Sequence, residues 1–176
     1  MPLTQYPVKG NPHVVLDVIG GSYRIATHSV PELLIDARRT HNKAVLPKVE
    51  ITDEKIQIGR QPLMRWFATK MGAEAKIIIP ENSTLTVKMF SGELVLSGRY
   101  EKINLRMRTG NVVLDGPYFE CSGNGLVKIT SGNLRCHLLS EAGFGFPWTT
   151  NKVNYIENNN GVQLRIELGM GELDFS

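Results

Sequence analysis

The chain has 176 residues, 41% of them hydrophobic and 21% charged, with a formal net charge of +3. That length and balance suit one well-buried domain and exclude wholesale disorder, and so small an excess of positive charge does not by itself imply nucleic acid. Two cysteines, Cys121 and Cys136, are too few for a disulfide-stapled miniature scaffold.

The opening stretch, MPLTQYPVKGNPHVV, has neither a basic n-region nor an apolar core of signal-peptide length. The longest apolar runs, such as Ile77-Ile78-Ile79, fall far short of the ~20 residues that span a bilayer. The chain as given is therefore expected to be soluble: cytoplasmic, or associated with the envelope if a leader was removed.

Period-two alternation begins soon after Pro12. Val14, Leu16 and Val18 precede Gly21 by seven, five and three residues, and Tyr23 and Ile25 follow it by two and four. The same offsets recur four times. Around Gly92 they hold Leu85, Val87, Met89, Leu94 and Leu96; around Gly110, Ile103, Leu105, Met107, Val112 and Leu114. Around Gly132 they hold Gly125, Val127, Ile129, Leu134 and Cys136; around Gly171, Leu164, Ile166, Leu168, Leu173 and Phe175. Of these 25 positions 24 are apolar, Gly125 being the exception.

Alternation on both sides of a fixed turn predicts two short strands, each with one buried face, joined at a corner where glycine enters positive φ freely. The glycines are 71, 18, 22 and 39 residues apart. The long gaps are near multiples of about 20, as if intermediate copies had degenerated. We therefore expect an all-β fold, a single-stranded-coil β-helix (β-solenoid) with coils of roughly 18–22 residues.

In chain order the expected parts of this single domain are N-terminal coils over 12–58, an irregular connection over 59–76, regular coils over 77–140, an irregular insertion or cap over 141–160, and a final coil over 161–176. Within the connection, Leu63, Phe67 and Met71 stand at i, i+4 and i+8 after Pro62, with Gly72 as a stop, which permits a helical turn. One more irregular strand capping the coil is the preferred reading. A sandwich of hairpins, suggested by Asn124-Gly125 and Asn160-Gly161, does not demand the same offsets five times over.

The phrases LTVKMFSGELVLSG and INLRMRTGNVVLDG, with IIIPENSTLTV before them and VQLRIELGMGELDFS at the close, resemble the bacterial putative-adhesin domains of the toastrack and head-domain type. The likeness covers Ile77 to Ser176 well and Pro12 to Ile58 loosely. It implies a β-helical solenoid used for binding or assembly at the bacterial envelope, without catalysis. Members often carry an adjoining leader or transmembrane segment, which is not visible here. The stretch SEAGFGFPWTTNKVNYIENNN breaks the phrase and reads as an insertion.

Catalytic chemistry is hard to assemble. Ser91-Gly92-Glu93 lacks the strand-to-helix elbow of a serine hydrolase, and there is no phosphate-binding loop, dinucleotide fingerprint or His-Glu-x-x-His. Glu93, Asp115 and Glu172 are the acidic candidates for a polysaccharide-cleaving pair, but Asn111 and Asn133 interrupt the Glu93–Glu172 register. Cys121, Cys136 and His137 do not match structural zinc spacing; a buried thiol is the expected state of Cys136, with a disulfide or metal as alternatives. His13, His28 and His41 lack ligand-type neighbours and read as surface or capping residues. No cofactor is expected.

Two surfaces remain. Four residues before each glycine lie Asp17, Lys88, Arg106, Lys128 and Glu167, so stacking would raise a short cationic column of Lys88, Arg106 and Lys128, which Arg108 extends. Its counter-charge would be an acidic polymer, an anionic lipid surface or the carboxylates of an envelope protein; the bland alternative is a solvated face. Phe144, Phe146 and Trp148 read first as a cap over an open coil end and second as an exposed contact loop. The expected function is a non-catalytic, adhesin-like binding or assembly module. The alternatives are a structural protein that self-assembles through its coil ends as a homo-oligomer and, third, a carbohydrate-active β-helix enzyme. Nucleic acid is not an expected partner, since the aromatics and the basic column come from different segments.

Overall fold

The alternation is realised as long strands bent at glycine. The computed structural model describes residues 4–38, 48–53, 55–59, 73–137, 146–157 and 163–175. They form β1 (Thr4–Pro7), β2 (His13–His28), β3 (Glu32–Arg38), β4 (Lys48–Ile51) and β5 (Lys55–Gly59). Then come β6 (Ala73–Pro80), β7 (Ser83–Cys121), β8 (Gly125–His137), β9 (Phe146–Glu157) and β10 (Gln163–Phe175). Among these residues the fold is all β, and no helix is long and apolar enough to cross a membrane. The helical-turn candidate at 62–71 lies outside the described residues.

All ten strands join one mixed sheet, along the path β1-β3-β6-β2-β7-β8-β10-β9, with β5 added to β2 and β4 to β5. The centre of the sheet is parallel and in register. Leu16 pairs with Val87, Gly21 with Gly92, Leu105 with Val127, Gly110 with Gly132, and Val127 with Ile166. The flanks are antiparallel: β1 on β3, β3 on β6, β4 on β5 and β9 on β10. A uniform stack of coils is thus not what the sheet shows; parallel layers are bordered by antiparallel strands.

The five glycines have φ between 135° and 146°, where a side chain is strained. They lie directly over one another. A Cβ on Gly110 would run into the carbonyl of Gly92, one on Gly132 into Gly110, and one on Gly171 into Gly132. At Gly92, Gly110, Gly132 and Gly171 two needs coincide, positive φ and close backbone approach, and only glycine meets both.

This stacking corrects the reading of the long gaps. Gly21 meets Gly92 with no layer between them, and Gly171 meets Gly132 in the same way. The 71-residue interval holds one parallel layer, β5 with β6, in register with both halves of β2 (Ile56 opposite Val14, Ile77 opposite Ile25), but no copy stands between Gly21 and Gly92. β5 pairs along His13–Asp17 and β6 along Gly21–His28, on the side of β2 away from β7, while β3 and β4 pair antiparallel with β6 and β5. The 39-residue interval likewise contains β9, an antiparallel partner of β10 at the end of the sheet path.

The strand halves before and after each glycine turn their apolar faces onto one interior. Val87, Leu105, Val127, Leu94 and Leu114 are fully buried in a single cluster that extends to Ile56 and Ile58 on β5 and Ile77 and Ile79 on β6. Each such side chain contributes about 1.5–3 kcal/mol over its exposed state. A second bend follows at Gly98, with φ 102°, where the buried Tyr100 hydroxyl donates to Ser97 O at 2.9 Å and Ile25 O at 3.0 Å. Burial holds this phenol far above its ordinary pKa, so it stays protonated and able to donate. Backbone stacking continues past this bend, with Asn82 N donating to Arg99 O and Ser122 N to Tyr100 O.

Gly110→Ala is expected to destabilise the protein by at least about 3 kcal/mol or prevent folding, because a methyl there meets backbone rather than a movable side chain. Gly10→Ala, with φ 61° and open space around it, should cost about 1 kcal/mol. Urea unfolding of the two variants beside the parent measures the difference.

Candidate functional site

In-register stacking turns each outward position of the repeat into a ladder across the sheet. Four residues before the glycines, Asp17 pairs with Lys88, Arg106 with Lys128, and Lys128 with Glu167. The layer of Lys88 lies beside that of Arg106, because Gly92 and Gly110 stack. The three cations expected to form a column therefore do form one, with a carboxylate at each end. At a strand spacing of ~4.8 Å it runs about 19 Å from Asp17 to Glu167.

The cations are not equivalent. Lys128 Nζ lies 2.8 Å from Glu167 Oε2, and Arg165 Nη2 lies 2.8 Å from Glu167 Oε1. The hydrogen-bonded Lys128 ammonium, with Arg165 nearby, holds the Glu167 carboxyl below its ordinary pKa. Lys88 and Arg106 are exposed and have no ion-pair partner among the described residues. The free positive charge of the column is at its centre.

Arg108 is placed by the same strand, two residues beyond Arg106, and its guanidinium carbon lies 4.9 Å from the centroid of the Phe90 ring. Phe90 is 50% exposed although it belongs to a core-forming strand. It stands two residues before Gly92, an outward position, so alternation turns it away from the interior. Phe90 was missed in the sequence, and the available signal was an aromatic where the repeat calls for a polar residue. Lys88, Phe90, Arg106 and Arg108 make a four-cornered patch, ~4.8 Å across neighbouring strands and about 6.7 Å along each.

The remaining candidates are dispersed. Glu93 and Glu172 share an outward ladder but are separated by the layers of Asn111 and Asn133, which pair with each other, and Asn133 Oδ1 accepts from Glu172 N at 3.1 Å. Asp115 lies four residues further along its own strand than Asn111. The structure does not bring the three carboxylates together. Cys121 and Cys136 are not joined in a disulfide. Cys136 is fully buried, and burial, with the Asp174 charge second, pushes its thiol up to about 12. Cys121 donates to Gly123 O at 3.1 Å, and burial raises its thiol too. His13 is exposed against Thr86 Oγ1 at 2.9 Å, and His28 meets Glu32 O at 2.7 Å. His41 lies outside the described residues.

Among the described residues no three His, Cys, Asp or Glu side chains gather in a way that could hold a metal ion. Phe144 also lies outside them, while Phe146 and Trp148 belong to the backbone of β9, where Phe146 pairs with Leu173. An open cleft of about 360 Å³ is lined by Pro7, Val8, Lys9, Ile51, Thr52 and Asp53.

No family model matches the chain, and no curated protein does. Among solved structures it is similar to a crystal structure of a "putative cell adhesion protein" from Clostridium sporogenes, with a TM-score of 0.51 and 15% sequence identity. The match covers 99% of this chain and 97% of that one. At that identity the likeness concerns the fold.

Lys128→Ala should raise the Glu167 titration midpoint toward its ordinary value, which carbon-detected NMR of the carboxyl resonance measures. Because the folded pKa is depressed, the stabilisation is present above the unfolded value of 4.5 and is lost as pH falls through the folded one. At this partly exposed pair it amounts to less than about 1 kcal/mol.

Proposed function

We propose that this protein is a non-catalytic, adhesin-like binding module built as a β-solenoid, whose outward cationic face engages an anionic partner. The observation that carries the reading is the pair Lys88 and Arg106, adjacent in one ladder, exposed, and without carboxylate partners among the described residues. Like charges in register on neighbouring strands repel, and an external anion relieves that repulsion. The in-register glycine corners support the solenoid reading, and the end-to-end likeness to a "putative cell adhesion protein" supports the adhesin-like role. An acidic polymer, an anionic lipid surface and an acidic envelope protein all offer the required charge. The separation of Glu93, Asp115 and Glu172 speaks against a carbohydrate-active enzyme, since acid–base cleavage needs two carboxyl groups facing one bond.

A second reading, assembly into homo-oligomers, is favoured by the open path of the sheet, which ends at β1 and β9 rather than closing on itself. Strand edges can add further strands unless blocked. Light scattering behind size exclusion separates the two readings, because assembly raises the mass without any anionic ligand.

The triple change Lys88→Glu, Arg106→Glu and Lys128→Glu should abolish binding to dextran sulfate, to polygalacturonate and to vesicles containing phosphatidylglycerol. The parent should bind at least one of them, more weakly as salt rises. Binding by the triple variant equal to that of the parent would reduce this face to solvated surface.

A further inference from the structure

The cationic face carries a feature that charge alone does not require. Phe90 is half exposed, and Arg108 packs over its ring. Single exposed hydrophobes are ordinary on protein surfaces. This one touches Arg108 and shares two neighbouring layers with Lys88 and Arg106, in the ladder beside the centre of the cationic column.

We propose that Phe90 and Arg108, flanked by Lys88 and Arg106, form a subsite for a sugar residue of an anionic polysaccharide. The inference rests on the anion-binding reading of the face and names the chemistry of its ligand. Sugar rings offer an apolar C–H face and a polar edge, and an acidic sugar adds a carboxylate or a sulfate ester. An exposed aromatic ring complements the first, as in ligand sites where apolar surface is joined by a few placed polar groups. A guanidinium stacked on a ring keeps its in-plane N–H donors free for a planar anion, and held in this way it loses less freedom on binding.

The boundaries of the patch favour a narrow polymer over a flat membrane. Asp17 and Glu167 close the ladder at its two ends, and Lys128 is already engaged by Glu167. A bilayer laid across the whole face would press these carboxylates against anionic headgroups. A single glycan strand can lie over the central cations between them. The free cations repeat at ~4.8 Å across the strands, so a polymer with regularly repeated charge is suited to them.

The test uses the intact chain, with polygalacturonate as the carboxylate polymer, dextran sulfate as the sulfate polymer, neutral dextran as control, and vesicles of phosphatidylcholine with phosphatidylglycerol. Phe90→Ala, Phe90→Tyr and the pair Lys88→Glu with Arg106→Glu are compared by calorimetric titration over a salt series, after circular dichroism confirms folding. The expected result is binding to at least one acidic polysaccharide, with the responsive arm identifying carboxylate or sulfate. Phe90→Ala should weaken it about fivefold or more while leaving the salt dependence unchanged, and Phe90→Tyr should restore it. Polysaccharide binding that Phe90→Ala leaves intact and the charge-reversal pair abolishes would overturn the aromatic subsite while sparing the anion-binding face. Binding to the vesicles alone would overturn the polysaccharide assignment. Binding to none of the anionic probes would remove the underlying reading as well.

Discussion

At each corner of this fold the backbone of one layer occupies the space a side chain would need in the next. The carbonyl of Gly92 sits where a Cβ of Gly110 would be, and the same overlap recurs from Gly110 to Gly132 and from Gly132 to Gly171. Neither a slip of one residue nor a substitution can be absorbed there, because the obstruction is backbone. Glycine at positive φ therefore does more than make a turn. It locks the register of each layer to the one before, and everything inward and outward follows from that lock.

Inward, the lock stacks Leu16 beside Val87 and Leu105 beside Val127, which gives a continuous apolar column without any layer closing a core alone. The single break in the repeat, Gly125, is filled from the next layer, since Leu164 Cδ1 lies 2.6 Å from where a Cβ would stand. Outward, the same lock makes ladders of polar groups. One has Asp17 and Glu167 at its ends and cations at its centre, and another adds Phe90 and Arg108 beside them. The surface chemistry is thus a consequence of corner geometry, since side chains far apart in the chain are brought into one patch by stacking alone.

Much of this was legible in the sequence, and the rest was hidden for identifiable reasons. Fixed offsets to glycine revealed the bent strands, the buried columns and the ladder of Lys88, Arg106 and Lys128, because period-two alternation has one meaning at a known corner. The same arithmetic overcounted the 71-residue gap: the described residues there give one parallel layer, β5 with β6, on the side of β2 away from Gly92. Beside that layer, β3 and β4 pair antiparallel with β6 and β5, outside the glycine phrase. Phe90 escaped notice because a scan for basic outward residues does not register an aromatic among them. Tyr100 escaped because its hydrogen bonds to Ile25 and Ser97 lie past a second bend, at Gly98, which offsets measured from the first glycine do not reach.

The central claim is that Gly21, Gly92, Gly110, Gly132 and Gly171 stand in one column with register preserved from layer to layer. Inter-strand nuclear Overhauser effects in uniformly labelled protein read this directly. The account predicts amide-to-α-proton contacts that link each of these glycines to its neighbour in the column, with matching contacts from Leu16 to Val87 and from Leu105 to Val127. Contacts displaced by one residue, or glycines whose nearest strand neighbours are not one another, would contradict it.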